Sequence, residues 1–235
     1  RDAIGRIDGK TAALAKAVYE ELSCGGPVIG AGKAGLWIAD AGGCHSPAQG
    51  ASRNQYLNVA RRLSVFDDPP PETAADRIWI PRQRNQAHDL QYYSDLAVGN
   101  DAVWVTGDNF EQVVWRLDPR RRTAARTALP GAPLEVAIGA GGIWVTALLD
   151  DRVWRVDPVT RRVVAAIPVG SGSAGVAVAG GSVWVTNAID GTVTRIDPRT
   201  NEVRDTIDVG GYLPAIATDG SDVWVFQGEQ IVNIG

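Results

Sequence analysis

The only two histidines of this 235-residue chain, His45 and His88, fall in two stretches crowded with other groups able to do chemistry. Cys44 precedes His45 and Asp89 follows His88, while Arg53, Asn54, Gln55 and Tyr56 accompany the first, and Arg82, Arg84, Tyr92 and Tyr93 the second. Two histidines with a neighbouring thiol or carboxylate are half of a metal site, but no third ligand stands at a recognisable spacing, so no metal is expected. As a general acid–base pair they need a carboxylate within hydrogen-bond reach, which spacing does not supply. The chain has no Gly-x-Ser-x-Gly, no phosphate-binding glycine loop and no His-Glu-x-x-His element, and no cofactor is implied. The glycines of Gly30-Ala31-Gly32-Lys33-Ala34-Gly35 lead into an apolar β-branched run rather than a helix, which marks a turn between strands. What remains is recognition, since aromatic rings, guanidinium groups and amides are the groups that binding surfaces use.

The elements that must position these residues repeat. Val103-Trp104-Val105-Thr106, Ile143-Trp144-Val145-Thr146, Val183-Trp184-Val185-Thr186 and Val223-Trp224-Val225 recur at a constant step of about 40 residues, enough for one supersecondary unit. Around the complete copies lie an earlier Ile/Val-Ala-x-Gly run, a later Val-x-Arg-Ile-Asp-Pro-like run and a final apolar run, ending in Val-Gly in the clearest copies. Each is a short β-branched segment closed by turn residues such as Asp190-Gly191 and Asp197-Pro198. Four short antiparallel strands in each such step match the period of a β-propeller blade. The expectation is a single all-β domain over 1–235 with five four-stranded blades, six being the fallback count. The last blade lacks a fourth strand before Gly235, so Ala3–Asp8 is expected to complete it and close the ring, with Thr11–Leu22 crossing to the first blade as a helix. The recurring Trp37, Trp104, Trp144, Trp184 and Trp224 are expected to pack between blades, as are Trp115 and Trp154 in the third strands.

Trp184-Val185-Thr186-Asn187 and its copies resemble the YVTN-type β-propeller repeat family, most clearly from Ala97 to Phe226. The resemblance implies the fold, and a setting in exported bacterial proteins or sensor segments; it implies no activity.

The repeat breaks once. The step from Trp37 to Trp104 is more than half as long again as each later one, and the surplus falls in the first full blade. With its third strand read at Leu63–Phe66, insertions lie at about 41–59 and 81–94, with a stiff Asp67-Asp68-Pro69-Pro70-Pro71 turn on the opposite face. Second-to-third and fourth-to-first loops emerge on one face of a blade, so both insertions rise together. Loops this long in a compact domain are functional or disordered. Arg82, Arg84, His88, Tyr92 and Tyr93 run into a first strand at the axis, and Arg53, Asn54 and Tyr56 close over them as an outer wall. That set suits a small polar or anionic ligand, or an acidic loop of a protein partner. The alternative is decoration without a ligand. On the same face Asp108, Asn109, Glu111, Asp150, Asp151, Asn187, Asp190, Gln227 and Glu229 form a polar rim, read as turn chemistry rather than a calcium site.

A net charge of −4 gives no basis for binding nucleic acid, and no apolar run approaches the ~20 residues of a membrane helix. Cys24 and Cys44 lie at the entry to the first blade and in its second-to-third loop, on one face, and are expected to form a disulfide, which points to an oxidising, extracytoplasmic compartment. The absence of any methionine suggests a processed form or an excised domain. The sequence thus reads as a non-enzymatic ligand- or protein-binding or sensor propeller of an exported bacterial protein. The alternatives are a propeller enzyme of lyase or lactonase type, or a scaffold docking another domain.

Overall fold

In the computed structural model, the backbone of four strands is described between residues 28 and 79, and residues 94–99, 101–107, 112–147, 149–228 and 230–235 are described with their side chains. The described elements are all strands, in five antiparallel sheets that follow one another along the chain. The first holds β1 (Val28–Gly32), β2 (Gly35–Asp40), β3 (Val59–Leu63) and β4 (Arg77–Trp79). The second holds β5 (Asp95–Val98), β6 (Val103–Thr106), β7 (Val113–Asp118) and β8 (Thr123–Ala128). The third holds β9 (Pro133–Gly139), β10 (Gly142–Ala147), β11 (Arg152–Val156) and β12 (Val163–Pro168). The fourth holds β13 (Ser173–Ala179), β14 (Ser182–Asn187), β15 (Thr192–Asp197) and β16 (Glu202–Asp208). The fifth has three described strands, β17 (Ala215–Thr218), β18 (Val223–Gln227) and β19 (Gln230–Asn233). Each sheet is a simple meander whose neighbours in space are neighbours in sequence.

Trp79 lies in β4, the fourth strand of the first sheet. The third strand of that sheet sits earlier than the sequence reading put it, at Val59–Leu63 rather than Leu63–Phe66. The register explains the shift. Leu36 opposes Leu63 as Val103 opposes Leu117, Ile143 opposes Val156 and Val183 opposes Ile196. Leu63 is therefore the last apolar residue of the strand rather than its first. The expected ring closure by Ala3–Asp8, the Thr11–Leu22 helix and the Cys24–Cys44 disulfide fall outside the described residues.

The turns between third and fourth strands repeat one device. Asp118, Asp157 and Asp197 each turn a carboxylate back onto following backbone amides, at 2.9 Å to Arg121, 2.6 Å to Thr160 and 2.8 Å to Arg199. These amide bonds, first among other causes, hold all three carboxyls below the usual range. The turn then closes through a left-handed residue, Arg122, Arg161 or Asn201, whose N–H bonds the carbonyl of that same aspartate. At the opposite end Gly191 has a φ of 68°, and a Cβ there would stand 2.7 Å from the Gly211 carbonyl oxygen, so the turn admits only glycine.

The first strands pack side by side, β1 on β5, β5 on β9, β9 on β13 and β13 on β17, and make the inner row. The second strands carry the core. Trp104 packs among Val136, Ile143 and Val145 of the next sheet, Trp144 among Val176, Val183 and Val185, and Trp184 among Val223 and Val225. Each ring thus spans the wedge between two blades, and each such burial contributes roughly 4–6 kcal/mol of transfer free energy. The Trp144 and Trp184 indoles donate to the carbonyls of Gly139 (3.0 Å) and Ala179 (3.2 Å). Arg155 and Arg195 cover the rings of Trp144 and Trp184 at 4.9 and 5.0 Å. Trp115 and Trp154, at matching third-strand positions, are buried as expected.

Candidate functional site

The threonine that closes the second strand in the second and third sheets splices two blades. The Thr106 hydroxyl accepts the Asp95 N–H at 2.9 Å and donates to the Leu134 carbonyl of the next sheet at 2.9 Å. Thr146 repeats this with the Glu135 N–H (3.0 Å) and the Ala174 carbonyl (2.6 Å), and Thr186 accepts from the Gly175 N–H at 2.8 Å. In the fifth sheet Phe226 takes the threonine position.

The residues held by these hydroxyls are equivalent positions of the inner row, near the start of each first strand. In the second and third sheets they are acids. Asp95 Oδ2 accepts the Val136 N–H at 2.9 Å, and Glu135 Oε2 accepts the Val176 N–H at 3.1 Å, so each carboxyl crosses to the next sheet's inner strand. In the fourth sheet the position is Gly175, where a Cβ would stand 3.0 Å from the Ile216 backbone nitrogen. Across β1, β5, β9, β13 and β17, Asp95 and Glu135 are the only ionisable residues, and no base accompanies them. Desolvation raises Asp95 to about 6. It raises Glu135 to about 8, helped by the nearby charge of Asp95. At neutral pH Glu135 therefore keeps its proton and can donate a hydrogen bond, while Asp95 is ionised.

This pair lies at the end of the inner row where second-to-third and fourth-to-first connections emerge. Ser94, which residues 81–93 precede in the sequence, leads into β5, and its hydroxyl donates to the Gly107 carbonyl at 3.1 Å. The binding residues expected from the sequence, Arg53, Asn54, Tyr56, Arg82, Arg84, His88, Tyr92 and Tyr93, all lie outside the described residues, as do Asp108, Asn109, Glu111 and Glu229. Several described rim residues are engaged in hydrogen bonds within the fold. Asp151 Oδ1 accepts the Gly172 N–H at 2.8 Å and Asp190 Oδ2 the Ser171 N–H at 2.7 Å. Gln227 donates to the carbonyls of Val209 and Gly210, and the buried Asn187 amide donates to the hydroxyls of Thr192 and Thr194. Among the described residues no group of three or more His, Cys, Asp or Glu is placed to hold a metal ion.

The sequence reading passed over Asp95 and Glu135. Their signal was available: they stand one repeat apart, at equivalent positions, in strands otherwise free of charge.

No protein-family model and no curated protein matches the chain. Many solved structures do, and they are propeller proteins. A streptogramin B lyase structure aligns with a TM-score of 0.63 at 15% identity, over 89% of this chain and 64% of that one. Virginiamycin B lyase from Staphylococcus aureus aligns with the same TM-score and identity, over 89% of this chain and 70% of that one. Apo AztD from Citrobacter koseri gives 0.54 at 13% identity, over 90% and 51%. The chain spans 49% and 64% of the first two solved chains it matches, so about half to two thirds of their length. At such identities the likeness is one of fold. The four-stranded antiparallel sheets are propeller-type blades.

Proposed function

We propose that this chain is a non-enzymatic ligand- or protein-binding, sensor-type propeller module of the YVTN repeat type, working outside the bacterial cytoplasm, and that it binds where residues 81–93 meet the inner row. One observation carries the reading. In an inner row otherwise free of ionisable groups, Asp95 and Glu135 stand together at the end that receives this long segment. A protonated Glu135 offers a donor, Asp95 an acceptor, and Arg82 and Arg84 of the entering segment add guanidinium groups suited to a carboxylate or phosphate. The set fits a small polar or anionic molecule, or an acidic loop of a partner.

The test is a thermal-shift panel of dicarboxylates and sugar phosphates on the wild type and on Arg82→Ala/Arg84→Ala/Tyr92→Ala. A ligand that raises the wild-type melting temperature and leaves the equally stable variant unmoved supports the site. A shift that survives in the variant places binding elsewhere and makes the insertions decoration.

The same carboxyl pair favours a second reading, an enzyme of lyase or lactonase type with Glu135 as general acid and Asp95 as base. Glu135→Gln would then abolish turnover while sparing binding of the same compound.

A further inference from the structure

The turns between third and fourth strands carry charge unevenly. In the second and third sheets they hold five arginines, Arg120, Arg121, Arg122, Arg161 and Arg162, all exposed, in a chain whose net charge is −4. The aspartates of these turns, Asp118 and Asp157, are taken up by backbone amides of the turn itself. Arg121 reaches Asp118 at 3.0 Å, but among the described residues no carboxylate pairs with Arg120, Arg161 or Arg162. At the apex of the third sheet's turn stands Val159, 85% exposed, more than any other large hydrophobic side chain among the described residues.

The two turns are held at a fixed spacing. The Thr127 hydroxyl of β8 donates to the Arg161 carbonyl at 3.1 Å, which seats the third sheet's turn on the outer strand of the second. The second sheet's own turn ends at Arg122, where β8 begins, about 17 Å back along the strand from Thr127 at a rise of ~3.4 Å per residue. One small anion does not bridge groups so far apart, whereas an array of anions does. An aliphatic side chain projecting among arginines gains nothing from a hydrophilic polyanion and gains from an acyl boundary. Equivalent turns of repeated blades emerge at one end, so together they present a rim to a flat surface. We propose that this rim docks on an anionic phospholipid surface, with the arginines of the second and third sheets on headgroup phosphates and Val159 at the acyl boundary. The acids set the tilt. The fourth sheet's turn is balanced, Arg199 and Arg204 against Asp197 and Glu202, while the β17–β18 turn at the same end carries Asp219 and Asp222 with no arginine or lysine after Arg204. The fifth sheet is thus held off the lipid. Asp95 and Glu135 lie at the other end of the blades, so the candidate binding site faces away from the surface.

The test is co-sedimentation of the full chain with vesicles of phosphatidylcholine alone, and with about one third phosphatidylglycerol added. The expected result is binding to the anionic vesicles only, falling as salt rises. Binding should be about ten-fold or more weaker in Arg120→Glu/Arg162→Glu and about three-fold weaker in Val159→Ser, at unchanged melting temperatures. Arg120→Gln/Arg162→Gln removes the charges without adding acids, and keeps the test decisive if the glutamate pair does not fold. No binding to anionic vesicles, equal binding to the neutral ones, or binding untouched by the arginine substitutions overturns the proposal. Loss in the arginine variants with none in Val159→Ser overturns it as well, because the turns then read a polyanion rather than a bilayer.

Discussion

Asp95 and Glu135 hold one repeat position in neighbouring sheets, and each hands a carboxyl oxygen to the backbone N–H of the sheet after its own, at 2.9 and 3.1 Å. The same pair therefore serves two ends. It ties the second, third and fourth blades together, and it sets the protonation state of the inner row.

Glu135 gives the fold a pH dependence of defined sign. Its folded value of about 8 stands above the ordinary glutamate value of 4.5, so the folded state holds the proton more tightly than the unfolded chain. Stability is then fully present below about 4.5 and is lost as pH rises through 8. Glu135→Gln keeps an acceptor for the Val176 amide without the charge. Urea unfolding should show the wild type losing on the order of 2 kcal/mol between pH 6 and pH 9, and the variant little. Parallel slopes in the two proteins would show that Glu135 is not the group responsible.

Thr146 is buried and bonded on both sides of a seam. Thr146→Val keeps its shape but leaves the Glu135 N–H and the Ala174 carbonyl without their partner, at a cost of about 1–3 kcal/mol. Thr146→Ser should recover most of it. Denaturant midpoints of the three proteins decide the point, and an equal loss in serine and valine would assign the effect to packing.

The tryptophans should divide by what lies beyond them. Trp144→Ala opens a cavity between two closed sheets and should cost about 3–5 kcal/mol. Trp224→Ala, at a partly buried position, should cost less, about 1–3 kcal/mol. Comparable losses at the two positions would mean that Trp224 is buried as fully as Trp144 in solution.

Gly175 is fixed by crowding rather than by its backbone angle. A Cβ there would come within 2.8 Å of the Ile216 Cγ2 and 3.0 Å of the Ile216 nitrogen and of the Thr186 hydroxyl. Gly175→Ala should destabilise by about 1–3 kcal/mol because the inner strands must separate. A melting temperature equal to the wild type's would show the seam to be loose.

Most of the fold was legible because a fixed period imposes the same register four times, and Trp104, Trp144, Trp184 and Trp224 mark the second strand each time. The misplaced strand at Leu63 shows where that legibility fails. Once the spacing is broken, Leu63-Ser64-Val65-Phe66 looks as strand-like as Val59–Leu63, and only pairing with Leu36 decides between them. The acids were missed for a different reason. Asp95 reads as an ordinary polar residue opening a strand, and Glu135 as a polar residue in an alternating one. Their importance arises only when first strands from different blades lie side by side, a non-local relation that hydrophobic periodicity does not encode. The role of the Val-Trp-Val-Thr threonine was hidden likewise, since its second partner lies 28 residues away in another sheet.

That spacing has a consequence for how such a chain can change in length. The carboxyl ties join residues 41 apart, one more than the repeat, and the hydroxyl ties of Thr106 and Thr146 run 11 residues back and 28 forward. Copying the second or third repeat whole therefore reproduces donor and acceptor together, and the new blade arrives with its joints already in place. Deleting one unit leaves matched halves in the same way. A gene built on this plan can gain or lose blades by unequal recombination without first inventing a new interface.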